Sequence, residues 1–245
     1  MPNQTDMQAG RSHITRCARS SRCALCEVRT LSICGALDKT DLLEFERIGR
    51  SVHLAPHEAL FTAGQSADSV YNLTAGVVRL YKLLPDGRRQ IIGFGLPGDF
   101  IGAGPSDRYS FSVDAIEAIS ACRVSRVGFE RFSARSPHLL LRINEFAARE
   151  LRLAQDQMLL LGRRTAEEKV ASFLTGWRDR LARLGEDRQT IRLPMSRQDI
   201  ADFLGLTIET VSRTLTRFER EKMLVIVAGG VRLLDVNRAE LMSTA

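Results

Sequence analysis

The stretch "MSRQDIADFLGLTIETVSRTLTRFEREKML", which runs from Met195 to Leu224, contains two helix-start signals with a turn signal between them. Ser196 and Thr207 each precede a run with helical periodicity, and their hydroxyls can accept a hydrogen bond from the first turn of a helix. Gly205 allows the tight turn that joins two crossing helices. The stretch therefore predicts a helix-turn-helix with helices at Arg197–Leu204 and Ile208–Glu221.

Three positions in this stretch meet the packing needs of a helix-turn-helix, because Ala201 is small, Gly205 is at the turn and Val211 is aliphatic. Near the start of the second helix, arginine can bind guanine bidentately and glutamate can accept from cytosine. The following "LVIVAGGVRLLD" predicts two strands around a Gly-Gly turn, which would form a wing. The predicted DNA-binding residues are Glu209, Ser212, Arg213, Arg217, Thr207 and Ser196.

The region from Ser51 to about Phe132 consists of short β-prone runs that are broken by Gly, Pro and Asp. "LPDGRR", Leu84–Arg89, is a Pro-Asp-Gly turn between two such runs and predicts a hairpin. Many short strands at regular spacing favour a β-barrel or jelly roll. Amphipathic helices are predicted before this region, at Ala36–Gly49, and after it, at Glu167–Leu181.

Pro137 opens a long helical stretch that runs to about Arg163 and carries apolar residues on two faces. One row has heptad spacing, which is typical of a helix that pairs with its copy in a second subunit. The other row predicts packing against the barrel, and the alternative is one wide face buried within a single chain. The predicted dimer interface is Leu140, Asn144, Ala147, Leu151, Ala154, Met158 and Leu161. The other row is Leu139, Ile143, Phe146, Leu153 and Leu160.

The net charge of +6 over 245 residues is compatible with a polyanionic partner but does not prove one. The N-terminal "MPNQTDMQAGRSHITR" lacks the hydrophobic region of a signal peptide, and no apolar run approaches membrane-spanning length. We therefore expect a cytoplasmic protein without a membrane partner. No Gly-rich dinucleotide loop, nucleophile elbow or paired acids point to an enzyme.

Four of the five cysteines, Cys17, Cys23, Cys26 and Cys34, precede the barrel in a segment too polar to build its own core. A bound metal would supply the missing cross-links, whereas a reducing cytosol disfavours disulfides. From the residues alone, these cysteines are metal ligands, redox thiols or incidental. Cys122 lies in a predicted strand, where a lone cysteine is most often a small core residue.

A barrel, a long helix and the segment "DIADFLGLTIETVSR", in this order, resemble the CRP/FNR superfamily of bacterial transcription regulators over nearly the whole chain. In that family the E-x-x-S-R set of the recognition helix reads the operator, and here this set is Glu209, Ser212 and Arg213. The resemblance implies binding of double-stranded DNA by a homodimer and contact with RNA polymerase.

Two modes of sensing in this family lack matching residues here. Cyclic-nucleotide members carry a Gly-Glu cassette and an Arg followed by Ser or Thr that grips the phosphate. In this chain Asp99 replaces the Glu, and Arg108 is followed by Tyr109. Haem-sensing members need axial ligands, and the four histidines are scattered along the chain.

The C-x2-C-x7-C spacing of Cys23, Cys26 and Cys34 resembles FNR-type oxygen sensors of the FnrN/FnrL-like branch. Such members hold a 4Fe–4S cluster with three N-terminal cysteines and one barrel cysteine, a position that Cys122 matches. Thiolates are soft ligands suited to such clusters. A ligand set with Cys17, structural zinc, and metal-free thiol chemistry are the alternatives. The arginines expected to favour thiolates are Arg22, Arg29 and Arg123.

Together these features predict an α+β protein with an N-terminal β-barrel or jelly-roll sensor domain, a long dimerisation helix and a C-terminal winged helix-turn-helix domain. The predicted segments are 1–36 for cluster binding, 37–136 for the sensor domain, 137–164 for the dimerisation helix and 165–245 for the DNA-binding domain.

The predicted function is an oxygen-responsive transcription regulator, active as an anaerobic homodimer with a 4Fe–4S cluster. By resemblance, it binds a palindrome like TTGAT-N4-ATCAA and mainly activates genes of microaerobic or anaerobic metabolism. The alternative is a CRP/FNR-type regulator that responds to oxidants through cysteine thiols without a metal cluster.

Overall fold

A computed structural model describes residues 21–244. The described chain begins with turns and two short 3-10 helices, Arg29–Leu31 and Ile33–Ala36, and continues into helix α1, Lys39–Ile48. Asp38 starts α1 because its carboxylate accepts a hydrogen bond from the backbone N–H of Asp41 at 2.8 Å. The predicted helix over Ala36–Gly49 is therefore present but begins three residues later.

Eight strands form two four-stranded antiparallel sheets that enclose a common core, as in a jelly roll. The first sheet has the order β1-β8-β3-β6, and the second has the order β2-β7-β4-β5. The strands are β1 (Gly49–Leu54), β2 (Ala59–Phe61), β3 (Ser69–Ala75), β4 (Val78–Leu83), β5 (Arg89–Gly95), β6 (Phe100–Ile101), β7 (Ser112–Ala115) and β8 (Ile119–Ser125).

The predicted hairpin joins β4 to β5. Its turn closes through a hydrogen bond from Leu84 N to Arg88 O at 2.8 Å, and Gly87 takes a positive φ of 83°. Only a residue without a β-carbon adopts that conformation without strain, so the Pro-Asp-Gly signal in the sequence correctly located this turn.

Helix α2, Arg126–Ser133, leads into the long helix α3, Pro137–Arg163. One face of α3 contributes to two separate cores: Leu139 and Phe146 are buried beside the barrel, and Leu160 is buried in the C-terminal domain. Leu153, which the sequence assigns to the same inward row, is 45% exposed. That assignment was wrong because Leu153 lies between the two cores, where neither reaches the helix.

The C-terminal domain is a helix-turn-helix with a small three-stranded sheet of order β10-β11-β9. Its first helix starts with a capping box between Thr165 and Glu168. The predicted strands around the Gly-Gly turn are present, and β9 adds a third. The elements are α4 (Ala166–Ala182), β9 (Thr190–Arg192), α5 (Arg197–Leu204), α6 (Ile208–Arg220), β10 (Leu224–Val227), β11 (Gly230–Leu233) and α7 (Val236–Thr244).

After β11 the chain continues into helix α7, which the sequence analysis did not predict. Asp235 Oδ1 accepts a hydrogen bond from Arg238 N at 3.0 Å, which starts the helix, and Ala239 is buried against the domain core. A local cap thus starts this helix, and one packed alanine anchors it. Among the helices of residues 21–244, none is long and apolar enough to cross a lipid bilayer.

The barrel and the C-terminal domain share one apolar cluster. Phe94 of β5 has its ring centroid 6.1 Å from that of Phe173, 5.9 Å from that of Trp177 and 5.5 Å from that of Phe203. Aromatic contacts of this kind add to the free energy of burial. The α+β architecture predicted from the sequence is the one observed, with the two domains in direct contact.

Truncation of Leu139 tests the burial of the inner face of α3. Leu139 is fully buried, so Leu139→Ala should lower the free energy of unfolding by about 2–5 kcal/mol through the cavity it leaves. Leu83→Ala is the control because Leu83 is 65% exposed, and its effect should stay within about 0.5 kcal/mol. If chemical denaturation showed the same loss in the free energy of unfolding for both variants, this assignment of the buried face would be contradicted.

Candidate DNA interface and cysteine site

The helix-turn-helix starts both of its helices with the hydroxyls predicted to cap them. Ser196 Oγ accepts from Asp199 N at 3.0 Å, and Thr207 Oγ1 accepts from Thr210 N at 3.2 Å. Between the helices, Gly205 has a left-handed φ of 61°, a conformation that favours glycine. The hydroxyls at both helix starts are exposed at positions from which phosphate groups of DNA are usually bound.

The exposed face of α6 carries the E-x-x-S-R set. Glu209 and Arg213 are exposed, and Ser212 is half-buried. Their spacing places the three side chains on one side of the helix, opposite the fully buried Val211. Within residues 21–244 these three side chains make no hydrogen bond or ion pair, so they are available to a partner.

Arg217, the fourth residue predicted to read DNA from α6, is held by two carboxylates of its own chain. Its Nη1 lies 2.8 Å from Glu167 Oε1 on α4, and its Nε lies 2.8 Å from Glu221 Oε1. These hydrogen bonds raise the pKa of Arg217 above its usual value. Arg217 must therefore exchange both carboxylates for phosphate or base atoms if it binds DNA.

Helix α5 is held against the barrel by two arginines. Arg79 of β4 donates to Asp199 Oδ1 at 2.9 Å, and Arg89 of β5 donates to the same oxygen at 2.6 Å. Arg89 also bonds to Asp202 at 2.7 Å, and Arg79 forms a bidentate pair with Asp114 of β7. The helix-turn-helix is thus tied to the barrel through charged groups that are largely shielded from solvent.

Asp199 stays ionised in this setting. Burial by itself would raise the pKa of Asp199, but hydrogen bonds from Ser196 and the charges of Arg79 and Arg89 outweigh it, and the pKa is lowered. A carboxyl with a lowered folded-state pKa stabilises the fold above its unfolded pKa. This contribution is lost as the pH falls through the folded-state value.

Four cysteines from two distant parts of the chain share one side of the first sheet. Cys23, Cys26 and Cys34 lie in the turns and 3-10 helices before α1, and Cys122 lies on β8. The charges of the other three thiols affect the pKa of Cys34, so the four thiols lie within electrostatic range of one another. The predicted ligand positions are therefore brought together, whereas Cys17 is outside the described residues.

The segment with three of these cysteines, Ser21–Ala36, is fixed by buried side chains and by hydrogen bonds to two helices. Ile33 has no exposed surface and packs in the cluster beside α3. Glu46 of α1 accepts from a backbone N–H of the segment at 3.0 Å, and Arg142 of α3 donates to the carbonyl of Thr30 at 3.3 Å. Hydrogen bonds and a few buried side chains thus hold a segment that has no core of its own.

Burial raises the pKa of the Cys23 thiol to about 11 and that of the Cys34 thiol to about 12. Burial also raises the pKa of Cys122. Arg22 lowers the pKa of Cys23 and Cys122, as the sequence suggested, but burial outweighs it. Arg123 instead donates to a β3 serine hydroxyl at 2.8 Å. The three metal-free thiols thus stay protonated at neutral pH.

The surroundings of the cysteines contain unsatisfied polar atoms. In the described part of the chain, buried side-chain atoms without a hydrogen-bond partner are Asn72 Oδ1 and Arg142 Nε. Asn72 is the register partner of Cys122, and Arg142 bonds to the cysteine segment. Within residues 21–244, no three His, Cys, Asp or Glu side chains are arranged to hold a metal ion between them, so these thiols are not spaced as ligands of one ion.

The cysteine segment also contacts the turn between β5 and β6. A β-carbon added at Gly98 would lie 3.0 Å from Leu31 Cβ, so the two chains pass closely here. The next residue, Asp99, bonds to Arg180 of α4 at 2.7 Å and lies 3.6 Å from Arg149 of α3. One turn therefore joins the cysteine segment, the long helix and the C-terminal domain.

All seven residues of the predicted dimer interface are exposed in the single chain. Met158 is 71% exposed and Leu151 is 61% exposed, although both are large apolar residues. Leu161, at the end of the row, lies against the helix-turn-helix, since a β-carbon at Gly205 would be 3.4 Å from it. The row is thus an uncovered apolar surface that ends at the DNA-binding unit.

Aromatic side chains fill the barrel interior where cyclic-nucleotide members grip the phosphate. The ring of Tyr109 stacks on Phe61 with a centroid distance of 3.7 Å. The preceding Arg108 is exposed and donates to the carbonyl of Gly64 at 2.6 Å. This arrangement agrees with the absence of a phosphate grip in the sequence.

The family model described as "Bacterial regulatory proteins, crp family" matches residues 193–224, and the model described as "Cyclic nucleotide-binding domain" matches residues 51–136. The transcriptional activatory protein AadR of Rhodopseudomonas palustris is 62% identical over 220 residues, which cover 90% of this chain and 92% of AadR. The chain belongs to the CRP/FNR family of bacterial transcription regulators. It is a DNA-binding transcriptional activator and not an enzyme, as the sequence predicted.

Two further comparisons support this CRP/FNR assignment. The nitrogen fixation regulation protein FixK of Bradyrhizobium diazoefficiens is 54% identical, with 91% of this chain and 94% of FixK covered. The solved structure of FixK2 from Bradyrhizobium japonicum superposes with a TM-score of 0.76 at 37% identity, with 81% of this chain and 98% of that chain covered. The barrel, long helix and helix-turn-helix are therefore those of the CRP/FNR fold.

Sequence reasoning missed several residues of this CRP/FNR regulator. The arginines that hold α5 lie more than a hundred residues before it, and Glu167 lies fifty residues before Arg217. No local periodicity connects such pairs. Asn72 gave a weak signal that went unused, since a polar residue within the apolar run "SVYNL" requires a partner.

Substitution on α6 tests the DNA-reading face. Arg213→Ala should remove a guanine contact, weaken operator binding by about 1–3 kcal/mol and relax the preference at one base pair of each half-site. Arg220→Ala is the control, because loss of a phosphate contact should weaken binding to all sequences alike and reduce the salt slope. Titrations of operator and random DNA at several salt concentrations separate the two. Equal loss on both DNAs for Arg213→Ala would contradict this assignment.

Proposed function

We propose that this activator responds to oxygen through a 4Fe–4S cluster held by Cys23, Cys26, Cys34 and Cys122. The observation that carries the proposal is the meeting of three cysteines from a coreless segment with one from a barrel strand. Four thiolates are the usual ligand set of such a cluster, which supplies a redox-active centre that oxygen can attack.

The surroundings of the four thiols favour a cluster over a single zinc ion. A tetrahedral zinc site needs its sulfur atoms about 2.3 Å from one metal, and the described cysteines are not arranged around one ion. A cluster separates its ligands more widely.

Metal-free thiol chemistry is the weaker candidate. Oxidants react with thiolates, and burial raises the pKa of Cys23, Cys34 and Cys122. Such thiols remain protonated and slow to react at neutral pH. A metal reverses this by binding the thiolate form directly, so the same buried positions that make poor reactive thiols make stable ligands.

A conformational change in the cysteine segment could be transmitted to the DNA-binding domain through two sets of contacts. Leu31 packs on Gly98, and the adjoining Asp99 holds Arg149 of α3 and Arg180 of α4. Loss of the cluster would release the segment and remove the support of this turn. The long helix and the C-terminal domain would then both lose a partly buried ionic contact.

The active form is proposed to be a homodimer paired along α3. Seven exposed residues with heptad spacing provide the surface, and one recognition helix covers only one half-site. Two linked helices raise the effective concentration at a palindrome. By family resemblance, this palindrome is like TTGAT-N4-ATCAA. The dimer would recruit RNA polymerase in the cytoplasm and mainly activate genes of microaerobic or anaerobic metabolism.

Single substitution of the four ligands tests the cluster. The anaerobically reconstituted parent should be brown, with iron and acid-labile sulfide in the proportions of a 4Fe–4S cluster. Cys23→Ser, Cys26→Ser, Cys34→Ser and Cys122→Ser should each abolish the colour and the anaerobic activation. Cys17→Ser is the control and should retain both. A colourless parent, or a colourless Cys17 variant beside a brown Cys122 variant, would overturn the proposed ligand set.

A charge at the centre of the exposed row tests the dimer. Ala154 is exposed in mid-row, where its partner across a two-fold axis is a second Ala154. Ala154→Asp would set two carboxylates against each other, and like charges in a partly desolvated interface disfavour association. The variant should keep its anaerobic spectrum, sediment as a monomer and bind operator weakly. Asp156→Ala, also on α3 but outside the row, is the control. A dimeric Ala154→Asp protein would place the interface elsewhere.

A further inference from the structure

Asn72 is a buried amide in an otherwise apolar setting. Its side chain is 4% exposed, and its Oδ1 has no hydrogen-bond partner among residues 21–244. It occupies the centre of β3, flanked by strands on both sides. An unpaired polar group in such a place is unfavourable unless something else satisfies it.

The sheet register directs Asn72 towards the cysteines. In antiparallel pairing, directly opposite residues point to the same face with their β-carbons about 4.5–5.5 Å apart. Asn72 is opposite Cys122 on one side and opposite Phe100 on the other. Both neighbours pack on the cluster of apolar residues that includes Cys34 and covers the outer face of this sheet.

The amide of Asn72 can act as a hydrogen-bond donor to a sulfide or thiolate sulfur. The oxygen and nitrogen of an asparagine amide exchange places by a half-turn of the side chain, so the same space can contain two N–H donors. No described protein atom forms a hydrogen bond at this position of the amide. A thiolate or sulfide sulfur there would accept a hydrogen bond from the amide N–H. Phe100 and its neighbour Phe129, with ring centroids 5.1 Å apart, keep water away and strengthen such a bond.

We propose that Asn72 is a positioning residue for the cysteine site and donates an N–H···S hydrogen bond to a sulfur of the cluster bound by Cys122 and its three partners. This inference rests on the proposed cluster. Hydrogen bonds to the sulfurs stabilise the negative charge of a reduced cluster, so they raise its reduction potential and slow its loss. The rate at which oxygen destroys the cluster would then depend on Asn72.

Two variants of Asn72 remove the donor in different ways. Asn72→Leu has nearly the same volume and no polar atom, and Asn72→Asp has nearly the same shape but no N–H. Ser112→Ala is the matched control, because Ser112 is a buried polar residue of the same barrel whose hydroxyl accepts from Ala63 N at 3.0 Å. The control thus loses a buried hydrogen bond away from the cysteines.

The measurement is pulsed EPR of the reduced, anaerobically reconstituted full chain, labelled with 15N in the asparagine side chains. The parent and Ser112→Ala should show coupling of a 15N nucleus to the cluster, and both Asn72 variants should lack it. Both Asn72 variants should also lose the cluster to air about 10-fold faster, the lower end of the effect of outer partners on metal sites. Their reduction potential should be more negative than that of the control.

The outcomes separate this inference from the function on which it rests. A parent without iron and sulfide overturns the proposed cluster itself. A parent with an intact cluster, but with unchanged 15N coupling, potential and air stability in Asn72→Asp, overturns the role of Asn72 alone. Should Asn72→Leu fail to fold, the near-isosteric Asn72→Asp supplies the same comparison.

Discussion

The rest of the structure depends on a single helix that is shared by two cores. Leu139 and Phe146 of α3 belong to the cluster that covers the first sheet, and Leu160 belongs to the cluster of the C-terminal domain. Because both domains bury parts of the same 27-residue helix, its orientation fixes the distance between them. The remaining face of α3 cannot be covered by either, and it is the face with heptad spacing.

The same helix also explains how a polar segment of about sixteen residues can be ordered. Its main anchor is Ile33, which packs against α3, and Arg142 of α3 holds its backbone at Thr30. The cysteines are thus placed by the same helix that carries the surface of the proposed dimer. A change at the cysteines and a change in the proposed pairing of α3 would therefore act on one element.

Local patterns in the sequence were sufficient for elements whose cause is local. The caps Ser196 and Thr207, the turn at Gly205 and the hairpin at Gly87 were all predictable because each depends on one to four adjacent residues. Leu153 was misassigned because helical periodicity records which residues share a face but not where a neighbouring core ends. The clamp of Arg79 and Arg89 on Asp199, and the pairing of Asn72 with Cys122, join residues far apart in sequence, and one sequence without its fold carries no signal for such pairs.

Asp199 performs two tasks with one carboxylate, since it accepts hydrogen bonds from Ser196 N and Ser196 Oγ while it binds Arg79 and Arg89. The bonds to Ser196 lie within α5, but those to the arginines cross to the barrel. If the helix-turn-helix moved away from the barrel, the bonds to Ser196 would remain and the bonds to the two arginines would break. Separation from the barrel would therefore break only the bonds to the arginines and leave the cap of α5 intact. The released carboxylate would add a negative charge beside the DNA-binding helices, which opposes the approach of DNA.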